Sequence, residues 1–116
     1  MESDIQFRVY FNRRRQWLDV HLYNVSPRVF CNYAGTYYAY YQPETERAAR
    51  RGLFGSLHFV SERMTPDTVV HELFHVLADW LRAKGMGITV YNEERLAFFF
   101  DELFRNFMRE YKKVIR

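Results

Sequence analysis

The apolar residues of this 116-residue chain change their period once, near Thr65, and that change restricts the fold more than any other feature. Before it, apolar and polar residues alternate in short runs; after it, apolar residues recur every three or four positions. Ile5 to Phe11 alternates up to Val9, Asn12 to Arg15 reads as a turn, and Trp17 to Tyr23 follows as a second strand, so the two predict a hairpin. Arg28 to Tyr41, rich in tyrosine and phenylalanine and broken at Gly35, predicts one or two further strands. Pro43 to Gly52 reads as a loop or short helical turn, and Ser56 to Val60 as a strand entered through Gly52 and Gly55.

Thr65-Pro66-Asp67 then supplies a helix start: a capping hydroxyl, a proline at the first helical position and an acid in the first turn. This helix runs to about Lys84 and stops at Gly85. Met86 to Tyr91 is the expected connection, and a second helix runs from about Asn92 to near the C-terminus. Strands first and helices last predict an α+β domain. Its small sheet, mixed or antiparallel, packs one face against two long C-terminal helices.

Size and composition set the outer bounds. A chain of 116 residues suits a single domain spanning 1–116, and 48% apolar residues can fill its core. No apolar run approaches the roughly eighteen residues a membrane span needs. Glu2, Ser3 and Asp4 stand where a signal peptide would be basic, so the expected location is the cytoplasm. The single cysteine, Cys31, excludes an internal disulfide and any site built from several thiolates. Arg13, Arg14 and Arg15 form one basic cluster, and Arg47, Arg50 and Arg51 another. Such clusters can contact phosphates, so a nucleic-acid partner, marked by steep salt dependence, is a rival reading. Short basic turns are generally solvated surface, however, and that partner is the less expected one.

The chemistry is concentrated at His71-Glu72-Leu73-Phe74-His75, an HExxH sequence inside the first helix. Histidines four apart sit one helical turn apart on one face, so both rings can reach one zinc ion. Glu72 is rotated away from both rings by less than a third of a turn and can take a proton from water activated there. Val69, Val70, Leu73, Val76, Leu77, Trp80 and Leu81 share one broad arc, while Thr68, His71, Glu72, His75 and Asp79 occupy the other. No histidine or cysteine follows His75, so a downstream third ligand is a carboxylate, and Asn92 to Ala97 holds the candidates. Leu81 stands where a metzincin has its third histidine, which excludes that class. Asp79 is better suited to supporting a ligand, or to pairing with Arg82.

With these residues the chain resembles a gluzincin, an HExxH zinc metallopeptidase whose third ligand is a glutamate on a following helix. Eighteen residues separate His75 from Glu94, and Glu94-Arg95-Leu96-Ala97 matches the ExxA second motif of the aminopeptidase branch. In size the chain is more similar to the minimal gluzincin-like proteins of phages and mobile elements. The resemblance covers about residues 56 to 105 and is specific at the two motifs. It implies a zincin-like fold, Zn2+ held by His71, His75 and Glu94, Glu72 as general base, and a peptide or protein substrate. Two departures accompany it. Glu93 stands between Asn92 and Glu94, and no second motif marks a tyrosine or histidine for the oxyanion. An ideal-helix count aims Glu93 more directly at the core, whereas the ExxA match and the spacing select Glu94.

The remaining residues have plainer readings. His21 and His58 lie in strands, where a histidine is generally packed or at the surface. The forty residues between Cys31 and the motif resemble the spacing of peptide deformylases, but the glycine-cysteine-leucine signature is missing, so Cys31 is expected to be a buried structural residue. Phe98, Phe99, Phe100, Leu103, Phe104 and Phe107 have helical spacing and are expected in the core. If Ser56 to Ser61 is a sheet edge, an extended substrate can pair with it. A zincin fold that binds zinc without hydrolysing peptides is the alternative function.

Overall fold

A computed structural model of the chain describes residues 3–24, 39–44 and 51–115. Among these residues four strands form one sheet: β1 Ile5–Phe11, β2 Gln16–Tyr23, β3 Ala39–Pro43 and β4 Leu53–Val60. After one tight turn at Ser61–Arg63 come two helices, α1 Pro66–Ala83 and α2 Glu93–Val114. The α+β expectation therefore holds, and the sheet is mixed. Its order is β1-β2-β4-β3, with β1 and β3 antiparallel to their neighbours and β2 parallel to β4.

The alternation read in the sequence becomes two faces. Val9 opposes Leu18, Phe7 opposes Val20, and Val20 in turn opposes Leu57. These side chains are buried with Val69, Leu73 and Val76 of α1 and with Leu103 and Phe107 of α2. Both helices thus cover the same sheet face, α1 against β3 and α2 against β1. Phe107 is the aromatic centre, its ring 5.6 Å from Phe7 and 5.8 Å from Phe59. Trp80 and Phe99 stack at 4.6 Å where the helices meet.

The start and stop signals of α1 act as read. Thr65 and Thr68 form a reciprocal capping box, with Pro66 in the first turn. At the other end Gly85 takes φ +64°, while Gly85 N–H donates to Arg82 and Met86 N–H to Leu81. That pairing is a Schellman motif, which needs a residue able to enter the left-handed region. Among the described residues no helix is long and apolar enough to cross a membrane.

Three expectations need correction. β4 begins at Leu53, three residues before Ser56, and Pro43 belongs to β3. β4 is also interior, between β2 and β3, so it offers no free edge. Phe98 leaves the expected core and is 64% exposed, while Phe99, Phe100 and Phe104 are partly buried against it. Cys31, Gly35, the 28–38 part of the expected third strand, Arg47 and Arg50 lie outside the described residues.

Candidate metal centre on α1

The HExxH residues sit at the middle of α1. His71 and His75 are both exposed, their ring centroids 5.1 Å apart. One turn of helix brings them together, as the i, i+4 spacing requires. Glu72 takes a different position from the one expected. It is only 5% exposed and turns inward, with Oε2 3.8 Å from His71 Nε2. Burial pushes its carboxyl above the ordinary range, while His71, His75 and a hydrogen bond from the Tyr41 main chain pull the other way.

The solvent face of α1 correspondingly carries Val70, which the sequence reading puts on the core arc, and Phe74, which it puts on neither arc. Val70 is 39% exposed and Phe74 55%, so both flank the histidines on the outside. Val69, Leu73, Val76, Leu77 and Leu81 are buried as expected.

Tyr41 is the site residue that sequence reasoning missed. It lies on β3, the outer strand of the described sheet, beside α1, and donates its hydroxyl proton to Asp79 Oδ2 at 2.8 Å. Asp79 also pairs with Arg82 at 3.7 Å, so it holds a tyrosine and an arginine rather than a histidine. Burial and the Asp79 carboxylate both raise the Tyr41 phenol well above its usual range. Room for its ring comes from Gly55 on β4, where a Cβ would stand 2.6 Å from a Tyr41 ring carbon and 2.8 Å from the Gln42 carbonyl. Nothing local in the sequence singles out Tyr41 among nine tyrosines; its role follows from strand pairing.

Glu94, the implied third ligand, and Glu93 are both exposed on the first turn of α2. Among the described residues, no three His, Cys, Asp or Glu side chains are grouped so as to hold an ion. The structure therefore sets His71 beside Glu72 and His75, and groups neither these three nor any set with Glu94 so as to hold an ion.

His21 and His58 are on the opposite sheet face, since Val20, Leu22, Leu57 and Phe59 point to the helices. His58 is 8% exposed, between Tyr23 Oη at 2.9 Å from Nδ1 and Ser56 Oγ at 2.9 Å from Nε2. Its ring stacks on His21 at 4.7 Å and on Tyr40 at 4.3 Å, an aromatic row across three strands. Burial, with a smaller contribution from His21, pushes His58 down to about 4 from 6.5. Between those values the unfolded chain takes up a proton that the folded chain refuses, so stability falls as pH drops from about 6.5 to 4 and is unaffected above 6.5. The expected loss is about 3 kcal/mol. His58→Asn is less stable than the parent at pH 7.5 but flatter between pH 6.5 and 4. Urea unfolding at several pH values checks this, and parallel pH curves for the two proteins contradict it.

Comparison of the chain with protein-family models, with curated proteins and with solved structures finds no match.

Proposed function

We propose that the protein is a zinc-dependent metallopeptidase of zincin-like fold, with His71 and His75 as ligands, Glu72 as general base and Glu94 as third ligand. The observation that carries the reading is the grouping on α1: two exposed imidazoles one turn apart, with a sheltered carboxylate beside them. The donor set suits zinc, since two neutral imidazoles and one carboxylate are a common catalytic combination. Bound there, the ion supplies a Lewis acid that polarises the scissile carbonyl and acidifies water. Glu72 takes the proton of the attacking water and returns it to the leaving amine. An extended substrate adds to β3, the outer strand of the described sheet next to α1, in place of the interior β4.

The two histidines supply neighbouring donors, but among the described residues no three donors are grouped to hold an ion, so the third ligand, Glu94, must move to reach them. Leu96, two residues further on, is buried and anchors that turn of α2, so the Glu94 side chain must do the reaching. Glu94→Ala is expected to weaken zinc binding by one hundredfold or more, while Glu93→Ala leaves it within about threefold. Competition with a chromogenic chelator measures both. If neither substitution alters zinc affinity, no carboxylate of this turn is a ligand.

One observation favours a second reading, a zinc-binding protein without peptidase activity. Glu72 is turned towards the Tyr41 main chain, a poor position for meeting solvent water. Zinc-dependent cleavage of an unfolded protein substrate, abolished by chelator and restored by zinc, decides for the enzyme. Stoichiometric zinc without cleavage decides for the binder.

A further inference from the structure

Away from the HExxH helix, the hairpin turn and α2 enclose two adjoining hollows, of about 380 and 220 Å³, with Phe11, Arg13 and Glu102 lining both. The larger is walled by Arg95, Phe98 and Phe99, and the smaller by Arg14, Asn106 and Arg109. Among the described residues, four arginines thus line the two hollows with one carboxylate, Glu102. Arg13, Arg14 and Arg95 have no carboxylate partner among the described residues, and Arg109 pairs with Glu110 at 3.4 Å on the rim. The turn presenting two of them holds Asn12, Arg13 and Arg14 at φ 52°, 57° and 65°. For an arginine that conformation costs about 1–2 kcal/mol. Strain of this kind persists where the surroundings impose it, and commonly at functional sites. Asn106 fastens α2 to the hairpin by donating to the Tyr10 carbonyl at 3.1 Å.

We propose that this groove binds single-stranded nucleic acid, the arginines taking successive phosphates and Phe98 offering its face to a base. The first arginine cluster is therefore more than the solvated turn the sequence suggested, because folding sets it beside a second row of arginines on α2. Arg95 and Arg109 are about 21 Å apart along the helix axis, enough for several nucleotides and far more than one phosphate needs. The exposed Phe98 next to Arg95 distinguishes nucleic acid from an acidic peptide, since a base gains from stacking and a carboxylate does not. This inference is independent of the zinc reading.

The test is fluorescence anisotropy of a labelled dT12 oligonucleotide from 50 to 250 mM NaCl. Three or four phosphate contacts predict a log–log salt slope of about −2 to −3. Arg13→Glu with Arg95→Glu is expected to weaken binding at least tenfold at 50 mM, and Phe98→Ala about five- to tenfold. Lys84→Glu, a charge reversal outside the groove, is expected to change it less than threefold. All these side chains are exposed, and melting curves matching the parent verify folding. The proposal is overturned if dT12 does not bind, or if Lys84→Glu weakens binding as much as Arg95→Glu. It is equally overturned if poly-glutamate displaces dT12 at equal charge while Phe98→Ala has no effect, which marks an acidic-polypeptide surface.

Discussion

Glu72→Gln is expected to keep its zinc and lose peptide hydrolysis by a factor of about one hundred to ten thousand, the range for removing a positioned general base. The amide has the shape of the carboxylate and still accepts a hydrogen bond through its carbonyl oxygen, so contact with the Tyr41 main chain survives. What it cannot do is take a proton. Because the native carboxyl is buried and its ionised form is disfavoured there, the neutral amide should leave stability unchanged or slightly higher. Activity and stability therefore move independently in this variant. Loss of zinc with the fold intact would instead make Glu72 a ligand.

The second large effect lies in the core. Phe107 is fully buried and its ring meets Phe7, Phe59 and Tyr111, which ties α2 to both β1 and β4. Phe107→Ala removes those contacts and leaves a cavity that the interior β4 cannot collapse to fill. The expected cost is about 3–5 kcal/mol, a large share of the roughly 5–15 kcal/mol that holds a domain together. Phe98→Ala, at an exposed position of the same helix, is expected to change stability by about 0.5 kcal/mol or less. Urea unfolding of both variants measures the contrast. Equal costs would mean that α2 does not pack through the Phe107 face.

These two residues also mark how far the sequence could be read. Period and punctuation are local properties, so the β1–β2 hairpin and both ends of α1 were legible from Asn12 to Arg15, Thr65-Pro66 and Gly85. Strand order depends on pairing between distant residues. Nothing local indicates that β4 inserts between β2 and β3, and with it the outer strand beside α1 passes from Ser56–Ser61 to Ala39–Pro43. Helix rotation was legible only in part. The large apolar residues of α1 cover about 160° of its circumference, with Val70 and Phe74 towards one flank and Glu72 just beyond the other, so the pattern does not say which flank goes inward. Packing against β3 turns Glu72 in and leaves the other two in solvent. The same holds for α2, where six apolar residues at helical spacing look alike until the sheet selects Leu103 and Phe107 and leaves Phe98 outside. The relation of Glu94 to the histidines was least legible of all. It depends on how Gly85 and the Asn92 side chain, bonded to Thr89 N–H and the Gly87 carbonyl, direct one helix past the other.

Elemental analysis of the chain purified without chelators tests the central claim most directly. The expected result is about one zinc per chain, reduced nearly to zero by either His71→Ala or His75→Ala, each with its fold intact. Both histidines are exposed, so replacing them removes donor atoms and little packing. A parent protein free of zinc, or histidine variants that keep it, would contradict the account.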